Sequence, residues 1–192
     1  MAGWGFNVHS AREPHPSLSA FSCTLVACVT RKVVENTTTE TPLADLIVPA
    51  NTLGSCGALR LVATMDYLND TTAINCYSLR WYLGATAAGL FNSGSITQSC
   101  VRNPALFEGH VHADNATNVQ IASATYRFAT GSQDIGGGAG ANNLTTRFSA
   151  HHSLAIDSTA AQHARLTIAL SSVTGCVSYR FMSARLENVP GA

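Results

Sequence analysis

The sequence predicts an all-β protein, an antiparallel β-sandwich of the jelly-roll-like type. Two runs carry most of this prediction, because apolar and polar residues alternate from Ala58 to Leu68 and again from Tyr77 to Leu83. A period of two is typical of strands that are buried on one face. No window of useful length shows a helical apolar face, and turn residues separate the short strand candidates, which favours two packed sheets.

The strand candidates follow one another along most of the chain. Each combines alternating or continuous apolar residues with Gly, Pro, Asn, Asp or Ser at its borders. In chain order the predicted strands are Phe21 to Val34, Leu43 to Val48, Ala58 to Leu68, Cys76 to Leu83, Ser95 to Arg102, Val119 to Ala129, Arg147 to Ile156, Ala164 to Leu170 and Val177 to Leu186.

The last predicted strand changes face in its middle. Tyr179 and Phe181 belong to one alternating set, and Ala184 and Leu186 belong to the other. One extra residue in a strand shifts the alternation in this way, so the sequence predicts a β-bulge there. The glycine-rich segment from Gly131 to Asn143 is predicted to be a loop.

The first seventeen residues differ from the rest of the chain. Met1 to Ser17 contains several Gly and Pro residues and follows neither period, which predicts an extended N-terminal arm ahead of a β-sandwich domain of residues 18–192. Trp4 and Phe6 lie near the start of the arm. Two interpretations stay open, a disordered terminus and an arm that covers its aromatic residues on a neighbouring subunit.

The composition favours a subunit of an assembly. Charged residues make up 11% of the chain, against roughly 25% in an average domain. A surface so poor in charge suits a protein that buries much of it against neighbours. The formal net charge is zero and Lys32 is the only lysine, so we expect no nucleic-acid partner. No segment approaches the length of a membrane span, so we also expect no membrane partner.

The six cysteines are dispersed and form no Cys-x-x-Cys pair, so a structural zinc site is not expected. Most lie among strand residues, where a thiol behaves as a small apolar group. Cys56 and Cys176 lie in apparent turns and are the better disulfide candidates, although the sequence does not pair them.

Histidines provide the best lead for an enzyme. His110 and His112 would lie on one face of a strand, with Glu108 two residues earlier on the same face. No further Glu follows at a suitable distance. In the predicted strand from Arg147 to Ile156, His152 falls on the apolar face and is interpreted as a core histidine, whereas His151 points to solvent. We therefore expect no metal site and no cofactor.

Aromatic residues of the two alternating runs could instead form a sugar-stacking platform. The alternation places Tyr67, Tyr77 and Trp81 in the core and leaves only Tyr82 outside. The core interpretation is therefore preferred.

Two segments resemble a recurring pattern of bacteriophage virion proteins. These are Val48-Pro-Ala-Asn-Thr-Leu-Gly-Ser-Cys-Gly-Ala-Leu-Arg60 and Ser78-Leu-Arg-Trp-Tyr-Leu-Gly-Ala-Thr86. Asp157-Ser-Thr-Ala-Ala-Gln162, Leu166-Thr-Ile168 and Val177 to Glu187 are similar to the C-terminal part of that pattern. About half of the chain is covered. Cys56 and Cys176 depart from the pattern, which has an Asn and a polar hairpin residue at these places.

The resemblance implies a β-sandwich structural protein of the virion, without enzymatic activity. We expect a capsid decoration or cement subunit, assembled in the host cytoplasm, that forms a homotrimer and bridges capsomers of the major capsid protein. A tail, collar or head-fibre component that binds a host-surface glycan is the first alternative, and a metal-dependent jelly-roll enzyme is the second. The expected interface residues are Trp4, Phe6, Arg60, Arg80 and Arg165. The arginines could pair with carboxylates of neighbouring subunits, or could be solvated.

Overall fold

The computed structural model describes residues 23–28, 30–70, 75–93, 99–130, 143–148, 152–171 and 177–189. These residues form twelve β-strands and no helix, so among them no helix is available to cross a membrane. The strands are β1 (Cys23–Cys28), β2 (Lys32–Glu35), β3 (Thr41–Val48), β4 (Ala58–Asn69), β5 (Tyr77–Leu83), β6 (Thr86–Asn92), β7 (Ser99–Ala116), β8 (Val119–Thr130), β9 (Asn143–Phe148), β10 (His152–Leu154), β11 (Gln162–Leu170) and β12 (Val177–Val189).

The strands form two antiparallel sheets, which confirms the predicted β-sandwich. The larger sheet has eight strands in the order β1-β12-β4-β7-β8-β10, with β2 beside β12 and β9 beside β8. The smaller sheet has the order β3-β11-β5-β6. Neighbours in both sheets are often distant in the sequence, and the pairing of β1 with β12 is the most extreme case.

Aromatic side chains fill the space between the sheets. Trp81 of the smaller sheet packs edge-on against Phe107 of the larger, with ring centroids 5.7 Å apart. Tyr77 packs in the same way against Tyr179 at 5.0 Å. Such edge-to-face pairs stabilise a core beyond their area burial, by about 0.5–1.5 kcal/mol each. The prediction that Trp81 and Tyr77 belong to the core is therefore confirmed.

Tyrosine hydroxyls also meet inside this core. The Tyr126 hydroxyl shares hydrogen bonds with those of Tyr77 and Tyr179, the second at 3.1 Å. Tyr67 donates to the carbonyl of Ala129 at 2.5 Å. Burial raises the pKa of Tyr67 to about 12, and it also raises the pKa values of the other three tyrosines. The buried hydroxyls are thus paired and remain protonated at neutral pH.

Gly109 allows the sheets to approach each other at the centre of β7. A Cβ atom there would lie 2.7–2.9 Å from three ring carbons of Trp81, closer than real Cβ contacts. The glycine therefore provides the space that the indole ring occupies.

The predicted bulge of the last strand is confirmed, since the register between β12 and β4 shifts between Phe181 and Ser183. Tyr179 and Phe181 are buried before the shift, and Ala184 and Leu186 are buried after it.

His152 corrects one sequence prediction. Its side chain is exposed, whereas the neighbouring inward residues Leu154 and Ile156 are buried. The reason is that β10 is a short edge strand on a sheet that is wider than the sheet facing it. His151 lies outside the described residues, as do the arm of residues 1–17 and residues 131–142 of the predicted glycine-rich loop, whose last residue, Asn143, begins β9.

Candidate functional site

Three turns that contain the virion-like motifs meet at one end of the sandwich, which we call the motif end. They are residues 49–57 between β3 and β4, residues 84–85 between β5 and β6, and residues 157–161 before β11. They converge because β11 pairs with both β3 and β5, so that the end of β3, the end of β5 and the start of β11 lie side by side.

Backbone hydrogen bonds tie the first turn to the last. The amide of Asn51 donates to the carbonyl of Ser158 at 2.8 Å, and the amide of Ser158 donates to the carbonyl of Thr117 at 2.9 Å. The side chain of Gln120, fully buried, donates to the carbonyl of Ile156 and accepts from its amide. The carboxamide of Gln120 thus bonds both backbone groups of Ile156, as a neighbouring strand would.

The second turn, residues 84–85, joins the same unit through Gly84. Its amide donates to the carbonyl of His163 at 2.8 Å, and its φ of +60° is a value that glycine adopts without strain. Asp157 accepts hydrogen bonds from the hydroxyl and amide of Thr159, and these lower the pKa of its carboxyl. The motif end is therefore a hydrogen-bonded structure whose first and last turns are more than 100 residues apart in the sequence.

A shallow pocket of about 330 Å³, which several polar residues line, lies beside the motif end. Asp45, Gln162, His163 and Arg165 line it together with Gly84 and Ala85. Nδ1 of His163 and Oδ1 of Asp45 lie 2.7 Å apart, and both side chains are about half exposed. Carboxylate, imidazole, carboxamide and guanidinium groups thus face one small volume.

The predicted interface arginines all have partners within the chain. Arg60, on the outer face of the larger sheet, contacts Glu108 at 2.7 Å and Glu187 at 3.4 Å. Arg80 pairs with Glu40 on the outer face of the smaller sheet. Their roles at an interface with neighbouring subunits stay predictions, and Trp4 and Phe6 lie outside the described residues.

Arg165 contacts two groups near the pocket. It donates to the carbonyl of Gly84 at 3.2 Å, and its guanidinium lies 5.3 Å from the ring centre of Tyr82. Tyr82, the one aromatic residue predicted to lie outside, is half-buried and has its outer face covered by this arginine.

Glu40 is the centre of the charged cluster on the smaller sheet. Burial alone would raise its pKa, but hydrogen bonds from Thr167 and Tyr82 and the charge of Arg80 outweigh it, so the pKa of Glu40 is lowered. On the larger sheet Asp66, 5% exposed, accepts from Arg102 and Arg180, both at 2.9 Å. The sequence alone did not identify either carboxylate as a cluster centre.

The His110–His112 pair is on one face of β7, as predicted, with parallel rings 6.4 Å apart. Nε2 of His110 lies 3.2 Å from Glu108 Oε1, the oxygen that also binds Arg60. Within the described part of the chain, no three His, Cys, Asp or Glu side chains converge as metal ligands would. Cys56 and Cys76 are exposed free thiols, and Cys176 lies outside the described residues.

No protein-family model matches this chain, and no curated protein matches it. Solved structures similar to it include peanut lectin with a nine-residue peptide, 9% identical over 87% of this chain and 84% of the lectin, with a TM-score of 0.31. Winged bean acidic lectin complexed with methyl-α-D-galactose is 8% identical over 83% and 82%, also at 0.31. The Gx strain structure of infectious bursal disease virus is 12% identical over 90% of this chain and 40% of the viral chain, at 0.32.

Proposed function

We propose that this chain is a structural subunit of a bacteriophage virion, a capsid decoration or cement protein that assembles as a homotrimer and bridges capsomers. The observation that supports this proposal most is the motif end. The turns that resemble phage virion proteins are far apart in the sequence, yet they form one hydrogen-bonded unit. In this chain the segments that carry the resemblance thus lie together at one end of the fold.

The charge distribution agrees with a role in association. Arg60, Arg80 and Asp66 are each paired within the chain, on the outer faces of the two sheets. Paired charges cost less to desolvate than isolated ones when a face is covered by a neighbour. In a closed lattice many such contacts add, so each subunit needs only a modest interface.

Immunogold labelling of purified phage particles tests the proposal directly. Antibodies against the sandwich domain should label the heads in a regular array, and mass spectrometry of the same particles should find the protein at a fixed ratio to the major capsid protein. Protein that is absent from particles would contradict any virion role.

A second candidate function is supported by the pocket beside the motif end. Asp45, Gln162, His163 and Arg165 present hydrogen-bond donors and acceptors to a volume that suits a single sugar ring. This favours the alternative of a tail, collar or head-fibre component that binds a host-surface glycan. Labelling of the tail or of head fibres instead of the head shell would support it.

Glycan binding has its own test. The purified protein is screened against a glycan array, and any sugar bound is measured by calorimetry with Asp45→Asn and with the control Asp114→Asn, an exposed aspartate of the β7–β8 hairpin. The first substitution should weaken binding at least tenfold, since one lost charged hydrogen bond has that effect. Equal affinities of the two variants for the sugar would exclude the pocket as the binding site.

A further inference from the structure

The outer face of the larger sheet contains a groove of about 440 Å³, which we call the β4 groove. Its floor consists of Val62, Thr64, Leu106 and Ser183, and Ala27 of β1 forms one side. The hydroxyls of Thr64 and Ser183 bond to each other at 2.7 Å. One of the two hydroxyls thereby donates to the other, and the side chains of Val62 and Leu106 add only carbon atoms to the floor.

The charges around the groove favour an apolar occupant over an ion. Arg60 is bound to Glu108 at 2.7 Å, and Arg185 is bound to Glu187 at 2.8 Å. An ion that entered the groove would have to compete with these existing ion pairs for the arginines or the carboxylates. The Arg185 side chain is 55% exposed, so its guanidinium can also cover an aromatic ring that enters the groove.

The chain itself supplies aromatic residues in the segment that precedes β1. β1 begins at Cys23, four residues before the groove residue Ala27, and residues 1–22 precede it with Trp4 and Phe6 near their start. Residues two apart in an extended segment point to the same side. Trp4 and Phe6 can therefore enter one groove together, and Gly5 between them adds no bulk.

The direction of β1 favours the groove of another copy. β1 runs from Cys23 towards Ala27, so the preceding residues must reverse direction to return to their own groove. Pro14 and Pro16 favour an extended backbone instead. The 17 steps from Phe6 to Cys23 span at most about 60 Å, whereas a compact domain of this length is about 40 Å across.

We propose that Trp4 and Phe6 of one copy occupy the β4 groove of a neighbouring copy, so that subunits are joined by exchanged arms. The inference deepens the proposed function, and rests on it only in treating the chain as a subunit that assembles with itself. Aromatic anchors in a shallow pocket are a common centre of protein–protein interfaces. An exchanged arm adds its contacts without requiring the sandwich faces to be flat or extensive.

Photo-cross-linking of the purified full-length protein tests this contact. A benzophenone amino acid is introduced at position 6, and the protein is mixed with an isotopically heavy copy before irradiation. Cross-links between heavy and light chains that map to β4, β7 or β12 around Thr64 are expected. Cross-links within one chain only, or to other surfaces, would overturn the inference.

Substitutions then test the groove and the arm separately. Thr64→Arg places a charged side chain in the groove, and Ala169→Arg is its control, a half-buried outward position on β11 of the other sheet. We expect Thr64→Arg and the double change Trp4→Ala with Phe6→Ala to weaken self-association at least about 30-fold. Ala169→Arg should leave it unchanged.

Sedimentation velocity over a concentration series measures these effects, and circular dichroism reports folding. If Thr64→Arg prevents folding, the double substitution decides, because Trp4 and Phe6 precede the first described strand and are not among the described core residues. Unchanged association after the double substitution refutes arm exchange. Absence of the protein from particles, in contrast, refutes the virion role and leaves the cross-linking result intact, so the two failures can be distinguished.

Discussion

Gly109→Ala should destabilise the sandwich through a single added carbon. The new Cβ would lie 2.7–2.9 Å from three ring carbons of Trp81, a residue that is only 2% exposed and is held against Phe107. The indole cannot leave without opening the core, so the sheets must shift apart. Overpacking of this kind costs about 1–3 kcal/mol. In a domain of this size, that loss lowers the Tm by roughly 2–12 °C.

Urea denaturation of a double-mutant cycle isolates the contact. The free energy of unfolding is measured for Gly109→Ala, for Trp81→Leu and for the double variant. Leucine removes the ring carbons that the alanine would meet, so Gly109→Ala should cost at least about 1 kcal/mol less in that background. The same cost in both backgrounds would refute the idea that the indole ring requires a glycine here.

Three further predictions concern ionisable groups. Burial raises the pKa of Tyr67 to about 12, above the value of about 10 in the unfolded chain. The neutral Tyr67 should therefore contribute stability that is complete below about pH 10 and is lost as the pH rises through 12. Absorbance of tyrosinate in the folded protein at pH 10 would contradict this. Glu40→Gln should cost about 0.2–1 kcal/mol at neutral pH, and this cost should disappear as the pH falls through the lowered pKa of Glu40; a pH-independent cost would argue against the ion pair. Asp66→Asn should lower the free energy of unfolding, measured in urea, by about 1–3 kcal/mol, because Arg102 and Arg180 lose their carboxylate partner. Asp70→Asn, at an exposed position, is the control. Equal losses for the two variants would contradict a stabilising role for the Asp66 cluster.

The sequence predicted the strands whose faces alternate cleanly and missed those whose pattern is broken. β6 was not predicted, because Ala88 and Gly89 are adjacent and both buried where its register with β5 shifts. The strand predicted to end at Arg102 continues to Ala116, through Pro104 and Gly109, residues that usually weaken a strand. The candidate strand from Phe21 to Val34 is two strands, β1 and β2.

The candidate sites were less accessible to sequence reasoning because they depend on long-range pairing. Nothing near Asp45 in the sequence indicates His163, and the two meet only because β11 pairs with β3. The motif turns were recognised one by one, but their common position follows from the order β3-β11-β5 in the smaller sheet. Local alternation does give the outward orientation of Arg60 and Arg80; their partners Glu108 and Glu40 require the fold.

The place of β12 in the larger sheet has a consequence for synthesis in the cell. β12 lies between β1 and β4 and pairs with both, and it also pairs with β2. Until β12 has left the ribosome, one edge of the long strand β4 lacks its hydrogen-bonding partner. Folding must therefore wait for contacts between residues more than 100 positions apart. Nascent chains that stop early would therefore expose an open strand edge, a surface that invites aggregation and chaperone binding.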